Sequence, residues 1–278
     1  IFMSIEKKPL VNDLYTADPS AHVFNGKIYI YPSHDEDIDV ENNDNGDQYD
    51  MKDYHVYEMP DTETYPRDCG CVLKLEDIPW ASKQLWAPDC VEKDGKYYFV
   101  YPARDKEGFF RIGIAIGDKP EGPFKAEPNY IPGSYSIDPC MFPDTDGKYY
   151  LTFGGIWGGQ LDQYRNNKWS ADNKEPQGEE EACTAKIALM KDNLLEMAEE
   201  PKDIMILDEN GKPLTGGDEA RRYFEDPWMF KKGDTYYFTY STGTTHLLCY
   251  ATSKSVYGPF TYGGVILTPV LGWTTHHS

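Results

Sequence analysis

Apolar and polar positions alternate with a period of two through KIYIYPS (27–33), KYYFVYPA (96–103), KYYLTFGG (148–155) and TYYFTYS (235–241). Such alternation in aromatic and β-branched residues predicts half-buried strands. Each run follows a turn with a glycine, Gly26, Gly95, Gly147 or Gly233, so each reads as the second strand of a hairpin. The stretch ahead of each turn is also shared: TADPSAHVF (16–24), WAPDCVEK (86–93), SIDPCMFP (136–143) and YFEDPWMF (223–230) set an acidic residue beside a proline before a short apolar segment. The chain therefore repeats one phrase.

Aligned on Tyr29, Tyr98, Tyr150 and Tyr237, the copies are spaced by 69, 52 and 87 residues (98−29, 150−98, 237−150). Multi-stranded repeats of roughly 40 to 50 residues, lengthened by insertions, are the signature of a β-propeller. FRIGIAIGDKPEGPF (110–124) and HLLCYATSKSVYGPF (246–260) supply a matching later strand before a Gly-Pro-Phe turn, and TAKIALMKDNLLEM (184–197) supplies it in the third copy. Residues 188–200 alone carry a brief helical pattern. Two polar insertions, 33–50 and 164–181, read as surface excursions from one domain that spans 1–278, not as linkers between two.

In a propeller the innermost strands of the blades line a central channel, so the acidic residues that open the repeats are expected to meet. Carboxyl groups gathered in a confined site cannot all stay ionised without cost, and a shared proton is expected. Such an arrangement suits glycoside hydrolysis, in which one carboxylic acid protonates the leaving oxygen and a carboxylate activates water. The candidates are Asp18, Asp138 and the pair Glu225–Asp226. On a regular strand only one of that pair can face the channel, and Glu225 has the longer reach. Asp89 stands in reversed order, after Pro88, and is expected to serve structure.

Taken together, YTADPSAHVF, QLWAPD, GSYSIDP, FGGIWGGQ, RRYFEDPWM and GWTTHHS resemble glycoside hydrolase family 43. The resemblance runs along nearly the whole chain. It implies an all-β, five-bladed propeller acting by inversion on arabinose- and xylose-containing plant polysaccharides. It further implies Asp18 as general base, Asp138 as the carboxylate that tunes and orients the acid, and Glu225 as general acid. The family more often writes Glu-Gly-Pro here, so Asp226 is a departure. The reading from sequence is an exo-acting α-L-arabinofuranosidase on arabinoxylan-derived oligosaccharides, with β-D-xylosidase or dual activity as the alternative. A carbohydrate-binding propeller without turnover is the rival from another class. The chain reaches Ser278 where a fifth repeat would be starting, so the fifth blade is expected to be incomplete.

Sugar sites combine aromatic platforms with hydrogen-bonding groups. Trp86 and Trp157 are the candidate walls, with blade packing as the competing reading, and Arg222 is a candidate for substrate contact or for a structural ion pair. The resemblance implies that His276, with His277 as fallback, lies in the channel near a calcium ion; no cofactor is expected for the chemistry itself. The acidic run from Asp35 to Asp47 matches no calcium-loop spacing and reads as solvated.

A net charge of −20 argues against nucleic acid or an anionic membrane as partner; a neutral oligosaccharide fits. Six cysteines at irregular spacing suit a reduced compartment, with Cys90, Cys140 and Cys249 as small buried hydrophobes. The N-terminus carries no apolar leader. The expected location is the cytoplasm, although a secreted mature form would look similar.

Overall fold

The computed structural model describes residues 9–269. Among them, four sheets, antiparallel except for one short parallel pair, follow one another along the chain as propeller blades. The first blade is β1 (Thr16–Phe24), β2 (Lys27–His34), β3 (Asp53–Met59) and β4 (Arg67–Lys74). The second contains β5 (Ala81–Lys83), β6 (Asp89–Lys93), β7 (Lys96–Asp105), β8 (Phe110–Gly117) and β9 (Lys125–Ala126). The third has β10 (Cys140–Pro143) and β11 (Tyr149–Phe153); then, after a small ribbon of β12 (Tyr164–Arg165) and β13 (Lys168–Trp169), it gains β14 (Lys186–Leu189) and β15 (Lys202–Asp203). In the fourth, β16 (Ile206–Leu207) lies parallel to β20 (Phe260–Leu267), and β17 (Glu225–Lys232), β18 (Thr235–Ser241) and β19 (Leu248–Ser253) complete the sheet.

The repeated phrase is the inner hairpin of every blade: β1–β2, β6–β7, β10–β11 and β17–β18. Its turns need left-handed residues, and Asn25-Gly26 and Asp94-Gly95 take φ of 53° and 76° and of 51° and 75°. This is the primed geometry that matches strand twist.

Alternation along the strands divides the core between blades. On β7, Phe99, Tyr101 and Ala103 pack with Tyr31 and Tyr54 of the first blade. Val100, on the opposite face, joins Met141, Leu151 and Phe153 of the third. Each inner blade is thus apolar on both faces, which is why the chain reads as rich in aromatics. Cys90, Cys140 and Cys249 are buried, and all six cysteines are free.

The helical expectation for residues 188–200 is corrected. After β14 the chain turns back on itself, with Leu194 at φ 58° and a bridge between Met190 and Met197. The Asn193 carboxamide accepts from Leu195 N at 2.9 Å, a local bond that competes with helix formation.

Candidate active site

The innermost strands β1, β6, β10 and β17 lie against their neighbours, and beside them opens a cleft of about 800 Å³. Asp18, Asp138 and Glu225 all line it, from three different blades, together with Trp86 and Trp157.

Local backbone explains how the acids reach it. Asp18, Asp138 and Asp226 adopt left-handed φ of 45°, 55° and 59°, each directly before a proline. Asp tolerates this region better than most residues. In β1 and β17 these residues fall inside interruptions of the ladder, between Ala17 and Ser20 and between Glu225 and Trp228. A bulge of this kind re-aims side chains. The regular-strand argument for the Glu225–Asp226 pair therefore does not apply as stated. Glu225 is half-buried on the cleft wall, whereas Asp226 is 2% exposed and lies beneath it.

Asp138 is also buried, at 4% exposure, and its Oδ2 accepts from Asp226 N at 3.1 Å. Burial first, then the neighbouring Glu225 charge, pushes the Asp138 carboxyl well above the usual carboxylate range. Asp226 is driven upward too, by burial and then by Asp138.

Asp89 does not reach the cleft. Its Oδ1 meets His22 Nε2 at 2.6 Å and its Oδ2 accepts from Met141 N at 2.8 Å, so one buried carboxylate ties the first three blades together.

Trp86 donates from Nε1 to Tyr49 O at 2.8 Å and packs its ring against Phe110 and edge-on to Tyr49. A side chain on Gly46, which has φ 72°, would bring a Cβ 2.5 Å from that indole; only glycine lets the loop lie over it. Trp157 is 41% exposed and stands edge-on to Phe224, with Nε1 donating to Glu175 Oε2 at 2.8 Å.

Arg222 departs from the expected substrate contact. It is 5% exposed and absent from the cleft lining. Its Nε donates to Gly216 O at 2.9 Å and its Nη2 to Glu175 Oε1 at 2.6 Å. Arg222 thus steadies the carboxylate that holds Trp157, and it acts on the wall from behind.

The polar insertion 33–50, expected to be a solvated excursion, is a wall. Asp35, Asn42, Asn43, Asp44, Gly46, Gln48 and Tyr49 face the cleft. Burial and then the Asp18 charge raise Asp35 to about 6. No sequence signal marked Asp35: the antiparallel register sets Ala17 opposite Ser33 and Thr16 opposite His34, and Asp35 N donates to Tyr15 O at 2.8 Å, so its approach to Asp18 is decided by the tertiary structure.

Arg104 anchors this wall and carried no sequence signal. Buried at 4% exposure, it donates from Nε to Gln84 Oε1 at 2.5 Å, and from Nη2 to Asn45 O at 2.9 Å and Gly158 O at 3.3 Å. Gln84 Nε2 in turn donates to Gly46 O at 2.7 Å. The insertion of the first blade is thereby joined to the Trp157 loop of the third.

His276 and His277 lie outside the described residues. Among the described residues one group could hold a metal, His34, Asp53 and His55. Two imidazoles and one carboxylate do not suit calcium, which takes oxygen ligands. His34 Nδ1 and Asp53 Oδ1 are 2.5 Å apart, a hydrogen bond and closer than the roughly 3.3 Å between two ligands of a tetrahedral ion.

Comparison with known proteins bears on the family. The family model for glycosyl hydrolases family 43 matches residues 7–268. The xylosidase/arabinosidase of Bacteroides ovatus is 58% identical over 277 residues, covering 99% of this chain and 85% of that protein. Among solved structures, RS223-β-xylosidase superposes with a TM-score of 0.94 at 56% identity, over 97% of this chain and 84% of that one. CoXyl43, a β-xylosidase/α-arabinofuranosidase from a compost microbial metagenome solved with xylotriose in a calcium-free form, gives 0.93 at 55% identity, over 97% and 83%. A propeller in which three of the four described blades deliver a carboxyl to one aromatic-walled cleft, matched along nearly its whole length by these enzymes, belongs to glycoside hydrolase family 43.

Proposed function

We propose that this glycoside hydrolase removes single terminal pentosyl units, β-D-xylosyl and α-L-arabinofuranosyl, from xylan-derived oligosaccharides with inversion at the anomeric carbon. The observation that carries it is the meeting of Asp18, Asp138 and Glu225, from three blades, on one cleft. The ordering of the two activities differs from the reading of the sequence. Similar proteins are β-xylosidases and xylosidase/arabinosidases, one of them solved with xylotriose, which favours the xyloside as the better substrate.

In this reading Glu225 donates its proton to the glycosidic oxygen while Asp18, on the opposite side of the sugar, takes a proton from water, which attacks the anomeric carbon. Bond breaking leads, so positive charge develops on the ring, and the ionised Asp18 beside it stabilises that charge. Asp138, which lines the cleft with Glu225, orients the acid, and negative charge on that side favours the protonated form. Trp86 and Trp157 offer flat faces to the sugar's C–H surfaces. The chemistry needs no cofactor.

Hydrolysis of 4-nitrophenyl β-D-xyloside and 4-nitrophenyl α-L-arabinofuranoside, with Asp18→Asn as control, tests this. The expected outcome is release from both, faster from the xyloside, and abolished in the variant. Turnover that survives Asp18→Asn removes Asp18 as the base; no release from the wild type on either substrate leaves the binding propeller.

A further inference from the structure

Asp226 holds the position in its blade that Asp18 and Asp138 hold in theirs: left-handed, directly before a proline, at the head of an innermost strand. Glu225 stands one residue earlier. The fourth blade therefore brings two carboxyls where the first and third bring one. The bulge sends Glu225 to the cleft and Asp226 inward.

The Asp226 backbone N–H donates to Asp138 Oδ2 at 3.1 Å, which makes the two carboxyls close neighbours. Carboxylates only accept, so a direct hydrogen bond between such neighbours needs one of them to carry a proton. Both are buried, at 4% and 2% exposure, where two adjacent negative charges are most costly. We propose that Asp226 is a positioning residue that shares one proton with Asp138, so that the negative charge acting on Glu225 belongs to the pair and not to Asp138 alone. This rests on Glu225 being the general acid.

The pair sits among Asp18 from β1, Glu225 beside Asp226 on β17 and the buried hydroxyl of Tyr223, which donates to Gly154 O. Asp138 lines the cleft with Glu225, whereas Asp226 is buried behind it, so Asp138 is the member whose charge Glu225 meets more directly. While the charge resides partly on Asp226, Glu225 feels less of it. The shared proton stays within the pair through turnover, since the leaving oxygen is served by Glu225 and the water by Asp18. Two macroscopic steps belong to such a pair, not to either residue.

The test is the pH dependence of kcat/KM on xylobiose, a substrate that needs a protonated acid, for the wild type, Asp138→Asn, Asp226→Asn and the double variant. Each single variant keeps one carboxylate near Glu225. With Asp226→Asn the charge rests wholly on Asp138, and the alkaline limb moves to higher pH. Asp138→Asn leaves it on Asp226, and the limb moves a little lower. Without either, Glu225 loses its proton at lower pH, and the limb falls by about one unit more than the singles together predict. A double variant whose limb matches that of Asp138→Asn overturns the proposal, because Asp226 then carries no charge that Glu225 feels. A merely structural Asp226 would lower the melting temperature and give that same unmoved limb. Glu225→Gln separates this from the underlying reading. Loss confined to xylobiose, with 4-nitrophenyl β-D-xyloside largely spared, supports Glu225 as acid; equal loss on both removes the acid assignment and the proposal with it.

Discussion

Replacing Arg104 by Met keeps much of the side chain's apolar length over Phe110, whose ring lies 4.6 Å from the guanidinium carbon, and removes its hydrogen bonds. The consequences differ among the acceptors. Gly108 O still receives Gln160 Nε2 at 3.1 Å, and Asn45 is exposed, so water can replace the lost donor there. Gln84 Oε1 and Gly158 O are buried and would lose theirs. Two orphaned buried acceptors cost about 1–3 kcal/mol each. Against this, a buried guanidinium is itself costly to desolvate, and burial holds the Arg104 pKa below its ordinary value. The net expected loss is about 2–4 kcal/mol, measured by urea unfolding. Because the same bonds hold the 33–50 wall against the Trp157 loop, KM for xylobiose should rise several-fold, on the order of 1 kcal/mol of lost binding, with kcat changed less. A destabilised variant with unchanged KM would refute the positioning argument. Stability within about 0.5 kcal/mol of wild type, the range of an ordinary surface change, would refute the burial argument.

Asp35→Asn tests the raised carboxyl at the cleft. A folded-state pKa of about 6 against roughly 3.9 in the unfolded chain means that the native state binds its proton more tightly. The associated stability is full below the unfolded value and is lost as pH rises through about 6. The Asn variant should therefore be more stable than wild type at pH 7.5, by about 1–2 kcal/mol after discounting for partial exposure, and the advantage should vanish near pH 4; urea titrations at both ends read it, and a pH-independent difference would reject the cause. Glu175→Ala releases both Trp157 Nε1 and Arg222 Nη2. The expected result is a several-fold higher KM for xylobiose with kcat nearly kept, and an unchanged KM would mean that Trp157 stays in place without it.

Local pattern alone determined the strands, the repeated inner hairpin and hence the propeller, because alternation and Gly turns act between neighbouring residues. It also marked the acidic residue beside proline that opens each inner hairpin. The role of each marked residue was another matter. The reversed Pro-Asp order set Asp89 apart as structural, but its partners, His22 and Met141 N, are named only by the packing of three blades. Glu225 and Asp226 could not be divided by strand alternation, since a bulge breaks the alternation where it was needed. Arg222 read equally as a substrate contact or a structural ion pair, and only the fold shows the second, with Glu175, 47 positions away, as its partner. The 33–50 insertion is polar because it faces a sugar-sized cleft, and polarity by itself cannot distinguish that from facing bulk water. It is held as a wall by distant partners, among them Arg104, whose bonds to Asn45 and Gly158 span 59 and 54 residues. Short-range periodicity constrains backbone conformation, but which buried polar group satisfies which is decided only when the blades pack and water is excluded between them.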